Sequence, residues 1–355
     1  MKKSKDLIDA KKSLDKVIEK SRVHLYKPIQ IAEILYHHRI DNNFLLDDLE
    51  SYRSKSKQWR DDVSLELLGR RCTSSSKFQD DLFNDTAVPP KAIKELGIEN
   101  EKNNGIVEAY IYSLFDTKHS QLSNALAYTQ KHTKEDFMLK EFLDSFWNEP
   151  GLRRSIDKVY EVIVYALFNV LVESMELKVN ITFVEDKIGL LSEFSDFTRS
   201  VLCLDSENTT YIQNAKVYRV GVTNAADRGL DMYSNWGPAI QIKHLSLNEE
   251  LAESIVSSVS SDRIVIVCKE AEEKIIVSLL NQIGWKSKIQ SIITEKELIN
   301  WYEKALRGKY SEILGDKLML NLVEELENEF PSIEERDTII TKRNYNFKKD
   351  GFWFE

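Results

Sequence analysis

The 355-residue chain contains only 3 cysteines, 6 prolines and 12 glycines. The cysteines, Cys72, Cys203 and Cys268, stand far apart, so they fit neither a disulfide framework nor a zinc site. No uncharged apolar run approaches the roughly 18 residues of a membrane-spanning helix, and the charged N-terminus lacks the apolar segment of a signal peptide. We therefore expect a cytoplasmic protein, neither secreted nor embedded in a membrane.

Positive charge is scarce in most of the chain. There are 49 Lys and Arg against 58 Asp and Glu, a net charge of −9 that argues against indiscriminate binding of polyanions. Residues 1–80 hold 17 basic and 13 acidic residues, which gives them +4 and leaves −13 for the rest. A nucleic-acid-binding surface is therefore best placed in the N-terminal part.

Several catalytic motifs are also missing. The sequence has no GxxxxGK[ST] and no GxGxxG opening a helix, which disfavours a nucleotide-dependent enzyme. It has no GxSxG and no cysteine in a catalytic setting, which disfavours a hydrolase with a serine or cysteine nucleophile.

The apolar pattern changes along the chain and predicts its organisation. Residues 1–145 are mainly helical by spacing, and we expect them to contain the DNA-recognition part. A long apolar helix over 148–177 opens the second region, after Pro150 and Gly151. Strand-like segments follow it: VNITFV, VYRVGVT, RGLDMY, AIQIKHL, RIVIVC and IQSIIT.

Helical stretches separate the last three of these segments. This order predicts an α/β (α+β) fold, in which helices flank a mixed β-sheet core over residues 146–310. The remaining residues, 311–355, comprise an acidic helix and a basic, aromatic tail.

Two polar segments are candidates for binding nucleic acid. The loop from Gly69 to Gln79 holds Arg70, Arg71 and Lys77, which could donate to phosphates and base edges; a solvated surface loop is the equal alternative. The tail could stack on bases, but packing of its aromatic residues on the core is favoured. Its basic and aromatic residues include Lys342, Arg343, Lys348, Lys349, Tyr345, Phe347, Phe352 and Trp353.

The most informative stretch is a predicted hairpin. Residues 234–238, Ser-Asn-Trp-Gly-Pro, have the composition of a turn and lie between two short extended segments. The turn places Asp231 beside one strand and both Gln241 and Lys243 on its neighbour. Because strand side chains alternate, we expect Gln241 and Lys243 to share a polar face that converges with Asp231, while Ile240 and Ile242 enter the core.

These residue types fit metal-assisted hydrolysis of a phosphodiester. Mg²⁺ prefers oxygen ligands, so one carboxylate with carbonyl oxygens can hold it. A lysine next to the ion would orient the attacking water and offset charge that grows on the phosphate. The spacing alone is weak, because an ordinary Asp–Lys surface pair gives the same pattern, and Glu185-Asp186-Lys187 is a rival site.

Longer strings carry a family resemblance. The segments VGVTNAADRGLDMYSNWGPAIQIKHLSL, RIVIVC, LLNQIGW and SRVHLYKPIQIAEILYHHR resemble the HaeII family of Type II restriction endonucleases, over about residues 10–335. That family is similar in its core to the PD-(D/E)XK nucleases. The resemblance implies that Asp231 matches the first acid, Gln241 the second acidic position and Lys243 the lysine.

The glutamine departs from the commoner glutamate and leaves only a side-chain carbonyl as a metal ligand. An acid from elsewhere could replace the missing carboxylate. Glu161 on the long apolar helix is the first candidate, with a helix-surface charge as its alternative role. Asp227 is the second candidate, with turn capping or pairing with Arg228 as its alternative.

The resemblance further implies a Mg²⁺-dependent enzyme that cuts double-stranded DNA at a palindrome of the RGCGCY kind. Palindromic cutting implies a homodimer with one active site per strand, and a DNA methyltransferase as genetic rather than physical partner. Arg70, Arg71 and Lys77 are recognition candidates because arginine reads guanine, and Asn235 and Trp236 are candidates at the hairpin tip. The alternative is an inactive, sequence-specific DNA-binding protein with a nuclease-like core.

Overall fold

The computed structural model describes residues 3–41, 43–71, 81–220, 230–272, 274–275, 288–331, 337–345 and 351–354. These residues form two compact units. Unit 1 contains the described residues up to Tyr160 and from Val323 onwards, and unit 2 contains those from Glu161 to Leu322. The functional division predicted at 145/146 and 310/311 stays a prediction.

Unit 1 is helical, as the apolar spacing predicted. Among the described residues before Tyr160, its α-helices include α1 Lys5–Lys20, α2 Tyr26–Asp41, α3 Leu49–Leu68, α4 Pro90–Lys102, α5 Ile106–Lys131 and α6 Leu139–Asn148. The segments LLDDLESYR and DDVSLELLGRR each predict a separate helix from their apolar spacing. This prediction is wrong, because one helix of 20 residues, α3, covers most of both segments. No Gly or Pro interrupts it, and Gly69 ends it at φ 65°.

The C-terminal tail packs on the core of unit 1, as favoured by its aromatic content. Trp353 and Tyr345 belong to the buried apolar cluster, and Phe352 packs against it. Helix α12, Asp337–Lys342, leads into the tail. Lys348, Lys349 and Phe347 lie outside the described residues.

The long apolar helix starts later than predicted. Helix α7 runs over Ile156–Ser174 rather than from residue 148. Helix α6 ends at Asn148, and a single 3-10 turn, Arg153–Ser155, precedes α7. Pro150 and Gly151 explain the gap, because neither residue favours continuation of a helix.

Unit 2 is built on a mixed five-stranded sheet, which confirms the predicted fold class. Its strands are β3 Val217–Arg219, β4 Met232–Ser234, β5 Ala239–Leu247, β6 Ile264–Ala271 and β7 Ile289–Thr294, in that spatial order. The pairs β3–β4 and β4–β5 are antiparallel, whereas β5–β6 and β6–β7 are parallel. The central position of β5 therefore joins the hairpin to the parallel half of the sheet.

Helices accompany the parallel half of this sheet. They are α9 Glu249–Ser258 and α10 Glu295–Arg307, and α11 Ser311–Glu329 follows α10 along the chain. Helix α9 connects β5 to β6, and its Ala252, Ile255 and Val256 join the apolar cluster of those strands. Asn248 caps α9, accepting a hydrogen bond from the backbone N–H of Leu251 over 2.8 Å.

Two further strands form a second sheet, which shares no strand with the five-stranded sheet. Strands β1 Lys178–Thr182 and β2 Thr210–Asn214 pair in antiparallel register, and the sequence patterns did not predict β2. Between them the chain forms short helical turns, the longest being α8, Ile188–Glu193. Within the described parts of the chain, no helix is long and apolar enough to cross a membrane.

Candidate active site

The β4–β5 hairpin brings together the three residues of the predicted catalytic pattern. Asp231 directly precedes β4, whereas Gln241 and Lys243 lie on β5. Met232 stands opposite Ile240 in the antiparallel register, which sets Asp231 opposite Gln241. The turn chemistry of residues 235–238 therefore fixes the geometry of the site.

Donors from β5 converge on one carboxylate oxygen of Asp231. The amide Nε2 of Gln241 donates to Oδ2, and the backbone N–H of Ile242 donates to the same atom over 2.7 Å. The Nζ atom of Lys243 lies 3.7 Å from that oxygen. Such charge-assisted contacts orient the carboxylate and hold the strands in register at this point.

Gln241 is the least satisfied member of this group. Its residue is only 2% exposed, yet its Oε1 atom has no hydrogen-bond partner among the described residues. Leaving a buried acceptor without a partner costs about 1–3 kcal/mol. The site therefore presents a buried carbonyl oxygen, beside the Asp231 carboxylate, that a hydrogen-bond donor or a cation could satisfy.

Lys243 differs from Gln241 in its exposure. Its side chain is 37% exposed, against 14% for Asp231. The ammonium group can therefore reach a bound substrate while it remains close to the carboxylate. An Asp–Lys pair of this kind can bind phosphate through the lysine and a cation through the aspartate.

The polar face of β5 is less exposed than its residue types suggest. Ile240 and Ile242 are buried as expected, and Gln241 on the polar face is buried as well. Strand β5 lies at the centre of the sheet, and helix α9 packs against it. Alternation of polar and apolar residues marks a half-exposed strand, whereas a central strand is covered on both faces.

His244 makes a contact away from the candidate site. Its Nε2 atom lies 3.0 Å from Oε2 of Glu295, the first residue of α10. His244 therefore makes a buried contact with α10, away from the three residues of the candidate site.

The strand next to Lys243 carries a cysteine that is not set up as a nucleophile. Cys268 of β6 stands opposite Lys243 in the parallel register and is fully buried. Burial raises the pKa of the Cys268 thiol to about 12. The residue therefore remains a thiol at neutral pH, since the thiolate is the reactive form.

Glu161 is the only one of the two carboxylates considered for the missing second acid that lies among the described residues. Glu161 lies on α7 with a buried side chain, and Asp227 lies outside the described residues. In the part of the chain that the structure describes, no group of three or more His, Cys, Asp or Glu side chains is arranged to hold a metal ion. The supporting roles of Glu161 and Asp227 stay predictions.

The hairpin tip is tied to the chain before β3. The Asn235 side chain donates through Nδ2 to the carbonyl of Asn214 over 2.8 Å, and its Oδ1 accepts from the backbone N–H of Lys216 over 2.9 Å. Trp236 is half-buried. Through these two hydrogen bonds Asn235 stabilises the hairpin tip. The roles of Asn235 and Trp236 in DNA binding stay predictions.

Arg263 and the backbone N–H of Ile242 contact the hairpin, although no sequence pattern indicates either of them. Arg263 immediately precedes β6, and its Nη2 atom donates to the carbonyl of Trp236 over 2.5 Å. The guanidinium lies over Gly237, whose φ is 118°. The sequence does show an arginine at the start of the strand that follows the hairpin. Predicting its contact with the turn would have required the strand order, which places β6 next to β5.

The recognition candidates of unit 1 have different surroundings. The Nη2 atom of Arg70 donates to the carbonyl of Glu329 over 2.7 Å and lies 2.8 Å from Nε2 of His24. Arg71 has a largely exposed side chain, 4.0 Å from Asp62. Lys77 lies outside the described residues, and recognition by all three stays a prediction.

Comparisons with known proteins agree over nearly the whole chain. A family model described as HaeII restriction endonuclease matches residues 10–346. The chain is 60% identical over 343 residues to the Type II restriction enzyme HaeII of Haemophilus aegyptius, covering 96% of this chain and 97% of that protein. It is 53% identical over 331 residues to the Type II restriction enzyme NgoBI of Neisseria gonorrhoeae, covering 93% and 94%. No solved structure matches the chain significantly.

Proposed function

This chain belongs to the HaeII restriction endonuclease family, and on that premise we propose that Asp231, Gln241 and Lys243 form its active site. The protein is a Type II site-specific deoxyribonuclease that cuts double-stranded DNA at a short palindrome, for which the family resemblance favours RGCGCY. The observation that supports the site is the convergence of the Gln241 amide, the Ile242 N–H and the Lys243 ammonium on the Asp231 carboxylate.

The donor atoms at this site fit Mg²⁺. The Asp231 carboxylate and the unsatisfied Oε1 of the buried Gln241 are the hard oxygen ligands that this ion prefers. When bound, Mg²⁺ supplies positive charge that stabilises the phosphate in the transition state and lowers the pKa of a water molecule. With a single carboxylate from the hairpin, the ion would keep several waters, and Glu161 is the proposed source of a further ligand.

Lys243 acts directly on the substrate in this proposal. Its ammonium group binds a non-bridging oxygen of the scissile phosphate and offsets the charge that develops there. Hydrolysis forms a bond from the water oxygen to phosphorus and breaks the opposite ester bond, and the leaving oxygen takes up a proton. The aspartate keeps Lys243 in place, because its Oδ2 lies 3.7 Å from Nζ.

A palindromic target requires two equivalent active sites. A two-fold symmetric homodimer places one site on each DNA strand. Arg71 and Lys77 are the proposed contacts to DNA in unit 1, with Arg70 as a further candidate and Asn235 and Trp236 at the hairpin tip. A cognate methyltransferase, acting as a separate protein, would protect the host DNA.

The test is digestion of unmethylated plasmid DNA with Mg²⁺ or with EDTA, followed by sequencing of the ends. We expect discrete fragments with Mg²⁺ only, and a fall on the order of 10²–10³ in rate for Lys243→Ala. Lys304→Ala removes an exposed lysine of α10 and serves as the matched control, which keeps its rate.

The same digestion decides between cleavage and binding alone. Intact plasmid in every condition, with folded protein that still binds one DNA sequence selectively, would favour the inactive DNA-binding protein. A Lys243→Ala variant as fast as the control would remove Lys243 from the active site while leaving the nuclease activity intact.

A further inference from the structure

Exposed apolar side chains are concentrated in one short part of unit 2. Of the 24 large apolar side chains that are exposed among the described residues, 11 lie between Met175 and Ile212. This segment contains β1, α8 and β2. Singly exposed apolar residues are ordinary on a protein surface, but a concentration of this size marks a surface that another molecule covers.

Four of these side chains form a stripe along the helical turns between β1 and β2. Leu190, Phe194, Phe197 and Val201 are 58%, 50%, 52% and 61% exposed. Hydrogen bonds continue across the irregularity at Phe194, from its N–H to the carbonyl of Leu190 over 3.1 Å and from the N–H of Thr198 to its carbonyl over 2.9 Å. Spacings of four, three and four residues put the stripe on one helical face, which faces solvent instead of a core.

The exposed area is large enough for a stable interface. At about 150 Å² for a fully exposed large apolar side chain, the lower end of the aromatic range, 11 side chains at about half exposure offer on the order of 800 Å². The largest apolar patch of a typical monomer measures about 300–600 Å², and a standard interface buries about 800 Å² on each partner.

The charge of the segment excludes the other obvious occupants. Residues 175–214 hold seven Asp or Glu and three Lys or Arg, a net charge of −4. Phosphates of DNA and anionic membrane surfaces both repel such a surface. The four stripe residues themselves carry no charge, so the occupant that fits them is a protein with an apolar surface of its own.

The spacing of the stripe points to a second copy of this chain. The series of four, three and four residues reads the same in both directions, so a reversed copy aligns Leu190 with Val201 and Phe194 with Phe197. A two-fold axis produces this pairing, because each surface then meets itself. We infer that the stripe of Leu190, Phe194, Phe197 and Val201 is the core of the homodimer interface.

The dimer interface does not depend on the proposed function, but its consequence for DNA cleavage rests on that proposal. Two-fold pairing through the stripe would give the enzyme the symmetry of a palindromic target. A monomer would carry a single active site and lose concerted cutting of both strands. The interface itself is measured without DNA, so its failure and failure of the nuclease proposal are separate results.

The experiment measures the oligomeric state of the full chain by sedimentation equilibrium with three stripe variants. Phe194→Glu and Phe197→Lys each place a charge against an aromatic ring of the partner. We expect each to raise the dimer dissociation constant on the order of 100-fold or more, as for a central interface residue. The double variant Phe194→Glu/Phe197→Lys sets opposite charges across the two-fold axis, and we expect it to recover a large part of the affinity.

The matched control changes exposed apolar residues outside the stripe. Ile313 and Leu320 of α11 are 53% and 64% exposed and lie seven residues apart on one helical face. The variant Ile313→Glu/Leu320→Glu should remain dimeric. Circular dichroism and thermal melting establish that every variant is folded, which is expected because the substituted side chains are exposed.

The outcomes are decisive in both directions. A dimer that the single stripe variants weaken, the double variant restores and the control leaves intact supports the inference. A monomeric parent chain overturns it, as do stripe variants that dimerise like the parent. Single variants that dissociate without recovery in the double variant overturn the pairing of Phe194 with Phe197. A stripe-dependent dimer that cuts no DNA would count against the proposed function alone.

Discussion

The buried carboxylates Glu33 and Glu108 of unit 1 and the hairpin of unit 2 differ in how completely their polar groups are paired. In unit 1 the buried carboxylate of Glu33 accepts from both Nη atoms of Arg343, over 2.7 and 2.9 Å, and from the Tyr112 hydroxyl over 2.5 Å. These contacts raise the pKa of the Arg343 guanidinium, although burial acts in the other direction.

A second carboxylate of unit 1 is equally well surrounded. Glu108 accepts from Nε and Nη2 of Arg39, each over 2.9 Å, from Asn100 over 2.6 Å and from the Tyr345 hydroxyl. The hydrogen bond to Glu108 is the main cause that raises the pKa of Arg39. Such a network supports the fold because each charged group has its partners.

The hairpin of unit 2 leaves one buried polar atom without a partner. Oε1 of Gln241 has none among the described residues, and Lys243 beside it is partly exposed. The difference separates two roles of buried polar groups. A satisfied network contributes to stability, whereas an incomplete one beside an exposed lysine indicates a site that a ligand completes.

The largest expected effect breaks the satisfied network. Arg343→Met leaves Glu33 buried without its cation, so we expect a loss of about 3–5 kcal/mol in the free energy of unfolding, measured with urea. Lys342→Met is the control, because its pair with Glu66 is exposed and worth about 1 kcal/mol at most. Equal losses in both variants would show that the buried network does not stabilise unit 1.

The next prediction changes the incomplete site. Gln241→Glu puts two carboxylates next to each other, so we expect the variant to lose on the order of 2–4 kcal/mol in EDTA and to recover most of it with Mg²⁺. Thermal melting in the two solutions measures this. Gln290→Glu, on the exposed side of β7, should melt alike in both. A Gln241→Glu variant that ignores Mg²⁺ would count against a cation site at the hairpin.

The third prediction concerns the turn that sets the register. Gly237 has a φ of 118°, and an added Cβ would meet the guanidinium of Arg263. We expect Gly237→Ala to lower the free energy of unfolding by about 1–3 kcal/mol. Gly189→Ala, in α8 with open space around it, should be neutral or stabilising by up to about 1 kcal/mol. The prediction fails if the two variants have the same unfolding midpoint.

The smallest expected effect is a dependence of unit 1 on pH. Burial, with help from His119 and Arg70, lowers the pKa of His24 well below its ordinary value of 6.5. Protons then bind the unfolded chain more tightly, so the stability that a neutral His24 contributes is complete above pH 6.5 and is lost as the pH falls below it. The slope is at most about 1.4 kcal/mol per pH unit.

Urea unfolding at pH 7.5 and 5.5 checks this effect, with His24→Gln as the variant that cannot titrate. The parent chain should lose more stability than the variant between the two pH values. Equal losses would show that His24 does not couple folding of unit 1 to protonation.

The pairing of Asp231 with Lys243 was predictable because it depends on local features. A Gly-Pro turn and two short extended segments specify a hairpin, and the hairpin register sets which residues meet. The burial of Gln241 was not predictable, because it follows from the strand order that places β5 at the centre of the sheet.

Contacts between distant segments were also beyond the sequence patterns. Arg343 is a cation in an aromatic tail, and nothing local shows that it pairs with Glu33, 310 residues away. Arg263 likewise reaches the hairpin only because β6 starts beside the turn. The single long helix α3 was missed for a simpler reason. The polar residues between its two apolar segments suggested a break, although no Gly or Pro interrupts them.

The most direct test of the proposed active site is the single-turnover cleavage rate of Asp231→Asn on unmethylated DNA, with the free energy of unfolding measured on the same sample. The amide can still accept from the Ile242 N–H, so we expect stability to change by about 1 kcal/mol or less. The rate should fall on the order of 10³, since the variant loses the carboxylate that holds the cation. A folded Asp231→Asn variant that cuts DNA at the parent rate would contradict the assignment of the active site to this hairpin.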